Sequence, residues 1–345
     1  MKAVVLKAFG GAENLHTADR ADPVPGPGEA LVRVRACALN HLDLWIRGGL
    51  AGSKVKLPHV LGSDIAGTVA ALGPGVPSQS VGARVAIHPG LCCRSCPACL
   101  DGRESDCSDY GILGAYGGSQ GGYAELICVA ADSLLPVPGH MSFIEAASLP
   151  LTSLTAWRML ATLGEVKNGQ TVVILGAGAG VSVAAIQIAK ALGARVIAAS
   201  SDAEKLERAR TLGADAVILQ PAQDLSRSVY KFTDGAMADC VIEHVGPAVF
   251  SDALKCLRPS GRLITCGSTS GPRVELDMRY VFSRQLRIIG ARMGSAAEMR
   301  AVWALVQDGR LKPVVDRTFP LAEARSAHER LESRRQFGKV VLSVA

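Results

Sequence analysis

Residues 171–202 read TVVILGAGAGVSVAAIQIAKALGARVIAASSD, and their pattern is the strongest indication of the fold. An apolar run, 171–175, ends in a glycine-rich turn, and apolar residues then recur at helical spacing over 183–192. Gly193 closes that pattern, and a second apolar run follows at 195–199. A strand, a glycine turn, a helix and a second strand in this order predict neighbouring parallel strands joined by a crossover helix.

The same alternation continues toward the C-terminus. A charged helix is predicted at 203–212 and another helix at 249–257, and strands are predicted at 216–219, 239–242, 262–266 and 286–289. Short apolar strands alternating with helices predict an α/β fold, with a parallel sheet covered by helices on both faces. We assign residues 151–289 to this domain.

The first 150 residues have a different pattern. Short strands, separated by turns such as 23–28 and 73–77, are predicted at 2–6, 31–36, 65–72, 83–87 and 123–129. This pattern predicts a mostly antiparallel, barrel-like β domain. In the remaining segment, 290–345, helices at 295–307 and 321–334 precede a strand at 338–342 that we expect to return to the first domain.

Composition excludes several classes of protein. The chain has 345 residues, 48% hydrophobic and 20% charged, which is typical of a globular protein of about two domains. The net charge of +6 is scattered and only 4% of residues are aromatic, so no nucleic-acid partner is expected. An apolar stretch of about 18 residues and a signal peptide are both lacking, so we expect a cytoplasmic protein without membrane contact.

Cysteines form two groups. Five of the ten lie close together, and the other five are scattered through apolar segments as small buried side chains. The sequence CRSCPACLDGRESDC at 93–107 spaces four cysteines as a closed, tetrahedral structural zinc site does. We predict one structural zinc, held by Cys93, Cys96, Cys99 and Cys107, and leave Cys92 out because it breaks the two-residue spacing.

The glycine-rich turn predicts a nicotinamide cofactor, since such turns let the backbone approach a pyrophosphate at a helix N-terminus. A strict GxGxxG motif is absent, and a plain tight turn is the alternative interpretation. The second strand ends at Ser200, where an acidic residue would favour NADH, and Lys205 follows nearby. We therefore predict NADPH over NADH, with Asp202 as a helix N-cap. A turn residue and a solvated helix face are the alternatives for Ser200 and Lys205.

Several further motifs join these features. They are ALNHLD (38–43), HVLGSDIAG (59–67), GGYAE (121–125), LPLTSLTA (149–156) and FGKVV (337–341). Together with the cysteine lobe, they make nearly the whole chain resemble the medium-chain dehydrogenase/reductase superfamily of zinc alcohol dehydrogenases and NADPH:quinone oxidoreductases. The resemblance implies a GroES-like catalytic domain and a Rossmann domain. It also implies further cofactor contacts, namely Thr155, Val245, Gly246, Gly267, Ser268 and Lys339. They join the residues that the glycine-rich turn and the strand end already indicate, namely Gly176, Gly178, Ala179, Gly180, Val181, Ser200 and Lys205.

This chain departs from the superfamily at the catalytic zinc. Members that bind it carry a cysteine where Asn40 stands and a histidine where Ser63 stands, and the third ligand position falls near 149–150, which offers no side-chain ligand. Amides and hydroxyls are poor zinc ligands. We therefore expect no catalytic zinc. A shifted metal site is the alternative, and its candidate ligands are Cys37, His41, His59 and Asp64.

The resemblance and this departure together predict a function. We expect NADPH-dependent hydride transfer to an activated C=C bond or a quinone, since a developing enolate needs only hydrogen-bond donors. Asn40 and Asp43 are the predicted catalytic residues, with a helix N-cap and a surface charge as the alternatives. The rival functions are an alcohol or aldehyde dehydrogenase and a non-catalytic cofactor-binding protein. We also expect a homodimer or homotetramer, with the strand at 286–289 as the pairing edge.

Overall fold

The computed structural model describes residues 1–76, 81–117 and 119–345, so the predicted turn at 73–77 lies partly outside the described residues. The chain divides into two compact units. Unit 1 comprises Met1–Leu151, Ser295–Trp303 and Pro313–Ala345, and unit 2 comprises Thr152–Gly294 and Ala304–Lys312. Unit 2 extends beyond the predicted end at residue 289. The Ala291 N–H still bonds the Thr265 carbonyl, at 2.7 Å, and so continues the sheet.

The strands of the described residues, in chain order, are β1 Lys2–Leu6, β2 Leu15–Asp19, β3 Glu29–Ala38, β4 Asp64–Leu72, β5 Arg84–Ile87, β6 Gly90–Leu91, β7 Gly111–Ile112, β8 Leu126–Ala130, β9 Leu134–Pro136, β10 Thr171–Ile174, β11 Arg195–Ser200, β12 Ala216–Leu219, β13 Ala238–Glu243, β14 Leu257–Thr265, β15 Arg287–Gly290, β16 Val315–Pro320 and β17 Lys339–Ser343.

The α-helices of the same residues are α1 His41–Arg47, α2 Pro97–Leu100, α3 Phe143–Ala147, α4 Pro150–Trp157, α5 Gly180–Ala191, α6 Ala203–Thr211, α7 Leu225–Phe232, α8 Phe250–Lys255, α9 Met278–Ser283, α10 Ala296–Gln307 and α11 Ala324–Glu332. A π-helical turn, Arg158–Leu163, continues from α4. No helix in the described parts of the chain is both long enough and apolar enough to cross a membrane.

Unit 2, every residue of which is described, is built on a six-stranded sheet in the order β12-β11-β10-β13-β14-β15. All its strand pairs are parallel. The order corresponds to the 3-2-1-4-5-6 arrangement of dinucleotide-binding folds, in which ligands bind at the carboxyl ends of the strands. Val173, Ile197 and Val241 from adjacent strands are fully buried in its core. The predicted α/β fold class is confirmed.

In unit 1, β3 is the central strand of a mostly antiparallel sheet. It pairs with β4, β8 and β17, and Ala38 near its end lies opposite both Asp64 and Val341. Gly67 in β4 has no side chain because a Cβ there would lie 2.1 Å from the Arg33 carbonyl oxygen. The first residue of β4 and the middle residue of β17 therefore flank the last residue of β3 at one end of the sheet.

Candidate functional site

The four predicted zinc ligands come together in unit 1. Their Sγ atoms all lie within 4.8 Å of one another. Helix α2 starts after Cys96, and Pro97 occupies its first turn, where a missing N–H costs nothing. Backbone N–H donors, first that of Ser95 and then that of Cys96 at 3.3 Å from Cys93 Sγ, lower the pKa of Cys93 to about 6.

This donor set fits zinc. Four thiolates close the tetrahedral shell and leave no position for substrate, so an ion held here supports the lobe and takes no part in chemistry. Within the described residues, these cysteines form the one group of three or more His, Cys, Asp or Glu ligand atoms close enough to share an ion. The alternative ligands Cys37, His41, His59 and Asp64 do not form such a group.

In unit 2, the glycine-rich turn connects β10 to α5. Gly176 and Gly178 have φ angles of +63° and +114°, a backbone region that other residues rarely adopt. Ala179 is the N-cap residue and Gly180 begins the helix, followed by Val181. The first N–H groups of a helix lack intrahelical partners, and a pyrophosphate can accept from them.

His244 lies directly beside this turn. A Cβ on Gly176 would stand 2.9 Å from His244 Cε1, so the glycine also makes room for the imidazole ring. His244 Nε2 lies 2.8 Å from Ser182 Oγ, and that hydroxyl donates to the Leu175 carbonyl at 2.8 Å. His244 is not among the site residues predicted from the sequence. Its signal was the polar pair Glu243-His244 immediately after an apolar strand.

Ser200 ends β11, the strand next to the turn. Its Oγ accepts the Asp202 N–H at 3.2 Å, and the Asp202 carboxylate accepts the Lys205 N–H at 3.2 Å. The predicted N-cap role of Asp202 is confirmed. Because the Asp202 carboxylate is used as a helix cap, the strand end itself presents a hydroxyl and no acid.

The remaining predicted strand-end residues also meet at this edge of the sheet. Glu243 Oε1 accepts the N–H groups of Val245 and Gly246. A Cβ on Gly246 would lie 3.3 Å from the Cα of Ser268, which follows Gly267, so the loops after β13 and β14 touch. Thr155 lies on α4 and is buried.

Lys339, predicted as a cofactor contact, lies in unit 1 within a buried polar cluster. Its Nζ donates to Asn40 Oδ1 at 2.6 Å and to Asp64 Oδ2 at 2.8 Å, and Asn40 Nδ2 donates to the same Asp64 oxygen at 3.0 Å. Asp64 Oδ1 accepts the Leu151 N–H at 2.7 Å. An ammonium group therefore neutralises this carboxylate, and Asn40 is held between them.

Asp43 is fully buried, so its interpretation as a surface charge is wrong. Its carboxylate accepts the N–H of Asn40 at 2.7 Å and that of Gly62 at 3.2 Å. Burial raises the pKa of Asp43 to about 7. Asn40 is the N-cap residue of α1, as the alternative interpretation expected. Its side chain contacts Asp64 and Lys339, so the same residue also belongs to the polar cluster.

These features define a class, the two-unit dinucleotide-binding α/β proteins. The class has a parallel sheet of this strand order, a glycine-rich turn into a helix and, here, a β unit with a four-thiolate lobe. Residues 26–139 match the family described as alcohol dehydrogenase GroES-like domain. Residues 180–308 match the family described as zinc-binding dehydrogenase.

Individual relatives span almost the whole chain. A quinone oxidoreductase of Pseudomonas aeruginosa is 32% identical over 350 residues, covering 99% of each chain. An acryloyl-coenzyme A reductase of Metallosphaera sedula is 31% identical, covering 99% of this chain and 100% of the relative. The crystal structure of an NAD-dependent alcohol dehydrogenase covers both chains fully, with 46% identity and a TM-score of 0.97. The chain belongs to the medium-chain dehydrogenase/reductase family and is an oxidoreductase, as the motifs predicted.

Proposed function

We propose that this oxidoreductase reduces an activated C=C bond, as in an enone or enoyl thioester, or a quinone, and uses NADPH without a catalytic zinc. The observation that carries the proposal is the cluster of Asn40, Asp64 and Lys339. Asn40 and Ser63 occupy positions where zinc-dependent members have thiolate and imidazole ligands. The neighbouring carboxylate of Asp64 is already paired with an ammonium group. This donor set does not suit a Lewis-acidic zinc.

The same cluster can stabilise developing negative charge. The Asn40 amide group has two N–H bonds and gives one to Asp64, and the Lys339 ammonium has three and gives two to its partners. One N–H of each group lies outside these bonds. When bound, NADPH supplies the hydride. We propose that the two remaining donors stabilise the oxygen of the resulting enolate or hydroquinone anion.

Unit 2 provides the proposed cofactor residues. The turn at Gly176 and Gly178 and the first N–H groups of α5 suit a pyrophosphate. Ser200 and the nearby Lys205 suit a 2′-phosphate better than a strand-end carboxylate would. The proposed set of cofactor-binding residues is completed by Val245 and Gly246 after β13, Gly267 and Ser268 after β14, and Thr155 on α4.

Oxidation of an alcohol with NAD is the second candidate, and the 46% identity to an NAD-dependent alcohol dehydrogenase favours it. A panel of enones, enoyl thioesters, quinones and alcohols, each assayed with both cofactors, separates the candidates. Turnover of the alcohols alone would refute our proposal.

Chelation tests the zinc-free mechanism. We expect activity and near-UV circular dichroism to decline together, because a chelator reaches only the structural ion at the four cysteines. A catalytic zinc would behave differently, since losing a Lewis acid removes several kcal/mol of transition-state stabilisation before the fold changes. Activity that disappears first and returns on adding zinc would contradict the mechanism and point to Cys37, His41, His59 or Asp64.

Cofactor preference is tested at the end of β11. Replacing Ser200 with aspartate places a carboxylate where the 2′-phosphate is proposed to lie. The ratio of the Kd for NADPH to that for NADH should rise by about tenfold or more, equivalent to roughly 1.4 kcal/mol. Ser201→Asp, on the exposed neighbour, is the matched control. Tighter binding of NADH than NADPH by the wild-type protein would overturn the preference.

The sheet of unit 2 ends at β15, and large apolar side chains lie exposed near this edge. Met278, Phe282 and Ile288 are 59%, 68% and 38% exposed. Unpaired strand edges are commonly covered by another strand. We propose that this edge pairs two copies into a homodimer or a homotetramer built from such dimers. Light scattering tests this, since the measured mass should be two or four times the 35.9 kDa mass of one chain.

A four-thiolate site also suits a reducing compartment, and we propose that the protein is located in the cytoplasm.

A further inference from the structure

Glu243, the last residue of β13 in unit 2, has a fully buried side chain whose hydrogen-bond partners are uncharged. Its Oε1 accepts the N–H groups of Val245 and Gly246. Its Oε2 accepts the hydroxyl hydrogen of Thr265, at 2.9 Å, and Thr265 is the last residue of the neighbouring strand β14. One carboxylate therefore connects the turn that follows β13 with the end of β14.

The charge of this carboxylate has to be compensated inside unit 2. Burying an ionised group costs free energy unless hydrogen bonds replace the water that it loses. Glu243 makes three such bonds, and bonds to an ionised acceptor are about twice as strong as those between neutral groups. Two of the three fix consecutive backbone N–H groups, so the carboxylate determines the conformation of the turn after β13.

The loop that follows β14 holds the same turn from its other side. The Val245 carbonyl accepts both the N–H and the hydroxyl of Ser270, each at 2.7 Å. A Cβ on Gly246 would lie 3.0 Å from the Gly271 carbonyl oxygen, so the two segments pack closely. The two segments are called the loop pair here and comprise residues 245–246 and 267–271.

The loop pair belongs to the half of the sheet that does not contain β11. In folds with this strand order each half of the sheet takes one mononucleotide, and the end of the second strand recognises the ribose of the adenosine half. That strand is β11, which ends at the proposed 2′-phosphate contact Ser200. The strands β13, β14 and β15 form the other half, so the loop pair is the part of unit 2 that suits the nicotinamide half.

We propose that Glu243 is a positioning residue for the nicotinamide half of the cofactor. Its carboxylate holds the loop pair in the conformation that binds this half, and it acts through the backbone of Val245 and Gly246 because its own side chain is fully buried. The inference rests on the cofactor site under the proposed function. It depends neither on the proposed substrate nor on the absence of a catalytic zinc.

Glu243→Ala removes all three bonds. We expect the Kd for NADPH to rise by about tenfold or more, because two buried N–H groups lose their acceptor and the loop pair is no longer preorganised. The Kd for adenosine 2′,5′-bisphosphate, which represents the adenosine half alone, should stay within about twofold of the wild-type value. Titration calorimetry measures both constants. Glu275→Ala, which removes an exposed carboxylate of unit 2, is the matched control and should change neither.

Two further variants separate hydrogen bonding from packing. In Glu243→Gln the side-chain oxygen can still accept both N–H groups, and the amide nitrogen can donate to Thr265 Oγ1. The Thr265 hydrogen then has the Gly267 carbonyl as its acceptor, at 3.2 Å. We therefore expect a Kd for NADPH within about threefold of wild type. Glu243→Leu has a similar volume but accepts no hydrogen bond, so it should resemble Glu243→Ala. Equal weakening in the Gln and Leu variants would overturn the proposal.

Hydrogen exchange in the cofactor-free protein tests the same contacts without any ligand. Exchange in the peptide spanning 243–249 should be about tenfold faster or more in Glu243→Ala than in wild type, and close to wild type in Glu243→Gln, because exchange follows local opening. Wild-type exchange in Glu243→Ala would refute the role of the carboxylate.

The two titrations keep this proposal distinct from the proposed function. If the wild-type protein binds NADH more tightly than NADPH, the preference for NADPH is wrong, and the pair NADH and ADP then tests Glu243 in the same way. Equal loss of affinity for the whole cofactor and for its adenosine half in Glu243→Ala would contradict a role confined to the nicotinamide half. An unchanged Kd for the whole cofactor would contradict any positioning role.

Discussion

Lys339→Met should lower the free energy of unfolding by about 3–5 kcal/mol, because removing one partner of a buried ion pair leaves an uncompensated charge. The Lys339 side chain is 5% exposed and that of Asp64 is fully buried, so water cannot replace the lost ammonium. Turnover should also fall by about 100-fold, the usual effect of removing one donor to a developing oxyanion. Denaturant unfolding and steady-state kinetics measure the two effects.

The double variant Lys339→Met with Asp64→Asn is the control for this interpretation. It removes both charges, so we expect it to be more stable than Lys339→Met alone while remaining poorly active. Lys339→Arg retains the charge and should retain most of the stability. A Lys339→Met protein that unfolds within about 1 kcal/mol of wild type would show that the pair is not the buried, dry contact described here.

Cys96→Ser should abolish binding of the proposed structural zinc. A hydroxyl is a much weaker zinc ligand than a thiolate, so zinc content should drop from one ion per chain to nearly none. Helix α2 has no buried residue and Leu100 is 74% exposed, so an ion held by the four cysteines would be the main support of this segment. Proteolysis between residues 92 and 107 should accelerate by about tenfold or more, because local stability sets the rate of cleavage.

Cys92→Ser is the matched control, since Cys92 is adjacent in sequence but lies outside the four-thiolate group. It should retain one zinc and wild-type proteolysis. Elemental analysis that finds two tightly bound zinc ions per wild-type chain would contradict the single-site prediction. Equal loss of zinc in Cys92→Ser and Cys96→Ser would show that Cys92 also binds the ion, which would contradict the proposed set of four ligands.

Local sequence patterns were sufficient to predict the features that depend only on the spacing of residues along the chain. The glycine turn, the cap at Asp202 and the four cysteines are short-range features, and each was predicted from its own segment. The polar cluster was predicted only in part. Asn40 was identified through family resemblance, but its partner Lys339 lies 299 positions away and was predicted to contact the cofactor.

The fold class, the cysteine lobe and the family resemblance could all be predicted from the sequence, because periodicity, ligand spacing and the short motifs that carry the resemblance each lie in consecutive residues. The contacts of the buried polar residues became known only from the three-dimensional arrangement of the strands. Asp43 was ambiguous between a surface charge and a functional group until its burial was known. Nothing in the sequence indicated that the buried side chains of Tyr123 and His328 are hydrogen-bonded to each other. The reason is physical. Whether a polar side chain is solvated or buried with a partner depends on which strands become neighbours, and that pairing joins residues hundreds of positions apart.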